Sequence, residues 1–148
     1  MEAVIFCGIQ ATGKTSFYKE KFFETHMRIS MDQLHTRNKE RLFLETCFSI
    51  QQPFVVDNTN PSKAEREKYI HLAKQYKYKV TGYYFQSVLA AAVQRNSGRS
   101  GKANIPEAGI RGTYKRLELP SVEEGFDELY FVGIQEGKFI IKAWNNEV

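Results

Sequence analysis

Eight residues near the start of the chain, Gly8-Ile9-Gln10-Ala11-Thr12-Gly13-Lys14-Thr15, carry the spacing G-x-x-x-x-G-K-[ST]. That spacing builds a phosphate cradle from backbone amides. Gly8 and Gly13 permit the dihedrals that turn successive amides inward, and a helix starting near Lys14 adds its positive dipole end to the same spot. The natural occupant is an anion. Lys14 can reach the terminal phosphates of a nucleoside triphosphate as a point charge, and the Thr15 hydroxyl can hold a magnesium ion that bridges two of them.

Phosphoryl transfer to a hydroxyl also needs a carboxylate to orient the nucleophile and take its proton, and cations to neutralise the moving group. Asp32 and Asp57 are the carboxylate candidates, because each directly follows a short apolar run. Both have a structural alternative: Asp32 could cap the helix beginning at Gln33, and Asp57 could be a turn residue ahead of a capping Asn60. Arg95, Arg99 and Lys102 lie in or beside a polar loop. They suit a lid over about residues 95–106, or a solvated loop whose charges aid solubility. Arg111, Lys115 and Arg116 read as a solvated face that could extend a basic rim. His35, three residues after Asp32, could touch an incoming substrate, whereas His26 and His71 read as surface residues. Tyr83, Tyr84 and Phe85 fall on a strand and read as core.

These residues need a scaffold that brings them to one edge. Strand-like and helix-like segments alternate without a linker, repeat or low-complexity tract, which predicts an α/β fold with an open, mostly parallel sheet flanked by helices. Strands are expected at Met1–Cys7, Met27–Met31, Phe54–Val56 and Lys79–Phe85. Helices are expected from Thr15 onward with Tyr18, Phe22 and Phe23 at helical spacing, over Gln33–Gln51 with Phe43, Cys47 and Ile50 on one face, and from Asn60 to Tyr76 with Tyr69, Ala73 and Tyr76 inward. Further helices are expected over Ser87–Arg95 and from Pro106 or Glu107 to Leu117. Leu129–Ile134 and Lys138–Trp144 flank Glu136-Gly137 and read as a β-hairpin or two edge strands. Ligands of such a sheet gather at the carboxyl ends of its strands, where Asp32 and Asp57 fall.

The chain has 148 residues, 42% of them hydrophobic, enough for one compact domain over 1–148. Its formal charge of +4 would suit a polyanionic partner without requiring one. Two cysteines, Cys7 and Cys47, suggest neither a disulfide framework nor a metal cluster, which fits a reducing, cytoplasmic setting. No apolar run approaches membrane-spanning length, so no membrane partner is expected.

The phosphate cradle, Ile29-Ser30-Met31-Asp32, Asp57-Asn58-Thr59-Asn60-Pro61 with Arg66 and Tyr69, and Arg95-Asn96-Ser97-Gly98-Arg99 together resemble the kinase domain of polynucleotide 5′-hydroxyl kinases, within the P-loop NTPase superfamily. The likeness continues through Ile105-Pro106, Tyr114-Lys115 and Leu119 to Phe126, reaching about Val132. The resemblance implies ATP and Mg2+ as cofactors and the 5′ end of a nucleic acid, DNA or RNA, as acceptor. It implies Asp32 as the general base, Lys14 and Thr15 at the phosphates and magnesium, Arg95 and Arg99 as lid arginines, and Asp57, with Asn58, Asn60 and His35, toward the acceptor. Two positions depart from the pattern. Met31 stands where the family often has Arg, and His35 stands where some members grip the acceptor phosphate with Arg. A small-molecule acceptor and a nucleotide-binding regulator or ATPase are the other readings the residues leave open. The phosphatase or ligase modules that accompany many such kinases have no room here, so a stand-alone kinase, or one meeting such partners in trans, is the expectation.

Overall fold

The computed structural model describes residues 1–101 and 104–145. Strand β1 (Glu2–Cys7) is central, and its run Ala3-Val4-Ile5-Phe6 is at most 1% exposed. Such an unbroken apolar run suits a strand covered on both faces. Parallel strands β3 (Phe54–Val56) and β4 (Lys79–Phe85) flank it, with Ile5 opposite Val56 on one side and Gly82 on the other. Adding β2 (Met27–Ile29), β5 (Glu128–Gln135) and β6 (Lys138–Ala143) gives the order β2-β3-β1-β4-β5-β6. Among the described residues only β6 runs antiparallel to its neighbour. Glu136 and Gly137 both have positive φ, 52° and 75°, the requirement of a tight two-residue hairpin turn. The hairpin expectation therefore holds, with β5 interior rather than at an edge, since it also pairs with β4.

Alternation along β1 divides the core. Ala3 and Ile5 pack with Leu44, Phe48, Tyr69 and Ala73 from α3 (Arg37–Ile50) and α4 (Lys63–Gln75). Val4 and Phe6 face Phe17 and Tyr18 of α1 (Lys14–Lys21) and the capping Phe22. Phe17 and Phe22 lie edge-on to one another and to Phe6 or beside it, at centroid distances of 5.9–6.1 Å, a preferred aromatic arrangement. Phe23, expected on that face, is 70% exposed. Tyr84 and Phe85 are buried in the core and Tyr83 packs against Phe6 and Phe17, as their strand position predicts.

Three helix boundaries differ from the sequence expectation. The segment expected as one helix over 33–51 is two, α2 (Met31–Leu34) and α3, because His35 adopts φ 66° and Thr36 caps the new helix by accepting from Lys39 N at 3.1 Å. Its inward face is Leu44, Cys47 and Phe48; Ile50 ends the helix at the surface, 66% exposed. Ser62, not Asn60, caps α4, through a capping box in which Ser62 Oγ accepts from Glu65 N and Glu65 Oε2 accepts from Ser62 N. Helix α5 (Leu89–Ser97) starts two residues later than expected because Ser87 instead accepts from Ile9 N in the loop after β1, and α6 (Glu107–Arg116) lies beside it. Among the described residues no helix is long and apolar enough to cross a membrane, and both cysteines are free and buried.

Candidate active site

The loop between β1 and α1 is held from below before it meets any ligand. Gly8 N donates to Thr59 O at 2.9 Å and Ile9 N to Ser87 Oγ at 3.0 Å, so these two amides anchor the loop. Ile9 and Ala11 bury their side chains against Ala92 of α5 and Ile110 of α6. Helix α1 opens at Lys14 behind the Gly13 cap, so its first-turn N–H groups, which have no partner within the helix, stand at the loop as an anion cradle requires. Gly13 caps α1 at φ 94°, and a Cβ there would meet the Phe139 ring of β6 at 2.9 Å. A side chain at Gly8 would strike the Phe85 backbone at 3.0 Å. Both glycines are therefore required by space as well as by turn geometry.

Lys14 is 8% exposed and folds back onto the loop, its Nζ donating to Gly8 O at 2.9 Å and Ile9 O at 2.6 Å. Burial lowers its pKa to about 8, with the Asp57 carboxylate opposing that shift. Thr12 is bonded within the loop, Oγ1 to Ile9 O, and Gln10 reaches Thr113 Oγ1 of α6 at 2.9 Å. Thr15 Oγ1 donates to Asp57 Oδ2 at 3.0 Å. Arg28 of β2 completes this group: Nε donates to Asp57 Oδ2 at 2.8 Å and Nη2 to Thr15 Oγ1 at 3.3 Å. A hydroxyl and a carboxylate oxygen side by side, next to the cradle, form a hard-oxygen donor set that fits magnesium held partly by substrate phosphates.

A cleft of about 890 Å³ opens from the cradle. Lys14, Thr15, Asp32, His35, Asp57 and Arg99 all border it. Asp32 sits in the first turn of α2, whose cap is Ser30: Ser30 Oγ accepts from Asp32 N at 3.2 Å. The capping alternative for Asp32 is thereby removed. Its carboxylate is exposed and makes no hydrogen bond or ion pair among the described residues. Asn58 fixes the start of α2 by accepting from Met31 N at 2.9 Å. Asn60, buried at φ 43°, ties this loop to β1 by donating to Phe6 O at 2.8 Å. Asp57 is thus joined to the Thr15 hydroxyl at the start of α1 and to Arg28 of β2.

Arg95 Nη1 donates to Ala11 O at 3.3 Å, so α5 reaches the cradle. Asn96 is buried and clamps the base of the polar loop: Oδ1 accepts from Ile105 N at 2.7 Å while Nδ2 donates to Ile105 O. Arg99 borders the cleft from this loop; Lys102 lies outside the described residues. Arg111 and Arg116 pair with Glu107 and Glu65; neither arginine lines the cleft, although Glu65 does. His26 is not an ordinary surface residue: Nε2 meets Glu2 Oε1 at 2.9 Å with the side chain 11% exposed.

Sequence reasoning missed Arg28, Arg37, Glu40 and Lys68. Arg28 was signalled only as a charge inside a short strand. Glu40 is buried and accepts from Tyr69 OH at 2.7 Å and Arg37 Nη1 at 3.0 Å, with Lys68 Nζ at 3.6 Å. Burial, and then the bond to Glu40, push the Tyr69 hydroxyl well above its ordinary pKa. Arg37 and Lys68 border the same cleft as Asp32, on helices opposite the cradle.

The pattern of the AAA domain family matches residues 4–120, most of the chain. Among curated proteins, the chain is 25% identical over 148 residues to the bifunctional polynucleotide phosphatase/kinase of Schizosaccharomyces pombe, covering 97% of this chain and 36% of that protein. It spans about a third of the length of the curated relatives it matches. Among solved structures, a sugar kinase from Janibacter sp. superposes with a TM-score of 0.68 at 13% identity, covering 88% of this chain and 85% of the other. A gluconokinase from Sinorhizobium meliloti gives 0.62 at 16% identity, covering 91% and 83%. The fold is that of P-loop kinases, and the likeness to polynucleotide kinases extends over nearly the whole sequence. The chain belongs to the AAA domain family, with its P-loop at Gly8–Thr15.

Proposed function

We propose that this chain is a magnesium-dependent kinase that moves the γ-phosphate of ATP to the 5′-hydroxyl of a polynucleotide. The observation that carries the reading is the cleft itself: an uncommitted carboxylate, Asp32, opens into the same space as Lys14 and the Thr15–Asp57 oxygen pair. A nucleotide-binding switch needs the cradle and the oxygen pair but has no use for that carboxylate.

In this reading the amides from Ala11 to Thr15 and the Lys14 ammonium hold the triphosphate. Lys14 exchanges the Gly8 and Ile9 carbonyls for phosphate oxygens. Thr15 and Asp57 would hold magnesium, which when bound neutralises charge on the β- and γ-phosphates. Asp32 accepts the proton of the acceptor hydroxyl as that oxygen bonds to the γ-phosphorus; the bond to the bridging oxygen breaks, and ADP leaves with its electron pair. Arg95 and Arg99 bring positive charge over the donor as lid residues, with the Asn96 clamp setting the loop's base. His35 and Asn58 border the acceptor end, and Asn60 positions their loop.

The test incubates the protein with γ-labelled ATP, magnesium and a 5′-hydroxyl oligonucleotide, beside gluconate, other sugars and nucleosides. Label on the oligonucleotide is the expected result. Label confined to a small alcohol would replace this acceptor with that one, and release of inorganic phosphate alone would replace transfer with hydrolysis.

A further inference from the structure

A second groove, of about 450 Å³, lies between α3 and α4 and continues from the cleft: Arg37, Lys68 and Tyr69 border both. At its head stand two exposed cations, Arg37 and Lys68, whose side chains are 61% and 44% accessible. Between them the charge of Glu40 is absorbed by Tyr69, Arg37 and Lys68. Arg41 and Glu45 pair with each other along one wall at 2.8 Å. Leu44 and Leu72 form an apolar floor. At the far end Tyr76, 51% exposed, lies flat on Phe48, with ring centroids 4.3 Å apart and planes within 7°. Phe48 covers one face of the tyrosine ring. The other remains an aromatic surface at the end of a groove that begins beside Asp32.

The length suits a strand rather than a small molecule. Arg37 and Phe48 are eleven positions apart on α3, about 16 Å at roughly 1.5 Å per residue, which a stacked single strand rising about 3.4 Å per nucleotide covers in about five nucleotides. Cations at the head and an aromatic platform at the far end are parts of a sequence-tolerant single-strand site. We infer that the α3–α4 groove carries the acceptor strand downstream of its reacting 5′ nucleotide, with the Phe48–Tyr76 pair as a base-stacking platform. This rests on the proposed polynucleotide acceptor, and it makes a single-stranded 5′ end several nucleotides long the preferred substrate.

The test uses 5′-hydroxyl oligothymidylates of two to eight nucleotides in the transfer assay, and fluorescein-labelled octamer binding by anisotropy. With the unaltered protein, KM is expected to fall about tenfold once the strand reaches the platform, the usual effect of one stacked base. Tyr76→Ala should raise KM for the octamer about tenfold, leave kcat and the dinucleotide KM unchanged, and weaken octamer binding equally; Tyr76→Trp should restore both. Transfer with a length-independent KM and octamer binding indifferent to Tyr76 would overturn the inference, and would be the outcome if the groove served a peptide. Absence of transfer to every acceptor, with octamer binding still lost in Tyr76→Ala, would overturn the proposed reaction and support the groove.

Discussion

Replacing Arg66 with Met should cost this protein a large part of its stability, because the arginine side chain joins three elements at once. The Arg66 guanidinium is fully buried, with Nε and Nη2 donating to the two Glu124 oxygens at 2.8 and 3.1 Å. Nη1 donates to Asn60 O at 2.9 Å, Pro61 O at 3.0 Å and Cys7 Sγ at 3.4 Å. It therefore ties α4 to the end of β1, to the loop that carries Asp57 and to the turn Val122–Glu124. Removing one partner of a buried ion pair costs about 3–5 kcal/mol, and each buried carbonyl left without a donor roughly 1–3 kcal/mol. These terms share one side chain and do not simply add, so about 5 kcal/mol is expected, against a total stability of about 5–15 kcal/mol for a domain. At about 2 kcal/mol/M in urea, the unfolding midpoint should fall by about 2.5 M. Arg66→Lys, which keeps a charge near Glu124 but loses the fork, should lie between. Adding Glu124→Gln to Arg66→Met should recover part of the loss by removing the stranded charge. A loss under about 2 kcal/mol, or no recovery in the double variant, would refute the reasoning.

Other consequences are testable separately. Arg28→Gln strands Asp57, whose side chain is 2% exposed, so stability should fall by about 3–5 kcal/mol, and Mn2+ should raise the thermal midpoint more in the variant than in the parent; equal shifts in both would contradict the shared site. Lys14 has a depressed pKa of about 8, so its charge is complete below that pH and lost as pH rises through it. Triphosphate binding at pH 8 should accordingly take up about half a proton, measured by calorimetry in buffers of different ionisation enthalpy; uptake unchanged in Lys14→Ala would assign the proton elsewhere. Asn96→Ala should speed hydrogen exchange at Ile105 N about tenfold or more, because both clamp bonds go; unchanged exchange would mean the loop base is held by other contacts.

The cradle and central strands are legible in the sequence because their signals are local. Gly8 to Thr15 states its own conformation, and Phe54–Val56 and Lys79–Phe85 form strands with the bounds expected of them. Local signals compete elsewhere. Asp57, Asn58, Asn60 and Ser62 are all cap-forming types within six positions; Ser62-Lys63-Ala64-Glu65 holds a capping box, yet Asn60-Pro61 reads equally well until Asn60 is seen bonded to Phe6 O. The break at His35 has no Gly or Pro to announce it; Thr36 caps the next helix and forces it. Arg28 and Lys68 stay hidden because their meaning lies in partners 29 and 28 positions away, Asp57 and Glu40. Asp32 is legible by its place after a strand and by the family resemblance, whereas the Ser30 cap, which frees its carboxylate from capping, shows only in the structure.

The most direct test of the central claim locates the transferred phosphate. After reaction with γ-labelled ATP, a 5′-hydroxyl oligonucleotide is digested to nucleoside 5′-monophosphates, for the unaltered protein and for Asp32→Asn. The account predicts that all label appears in the monophosphate of the first nucleotide, that Asp32→Asn removes this label about a hundredfold or more, and that the same variant binds ATP nearly as before. Label absent from the 5′ nucleotide, or undiminished without the Asp32 carboxylate, would contradict it.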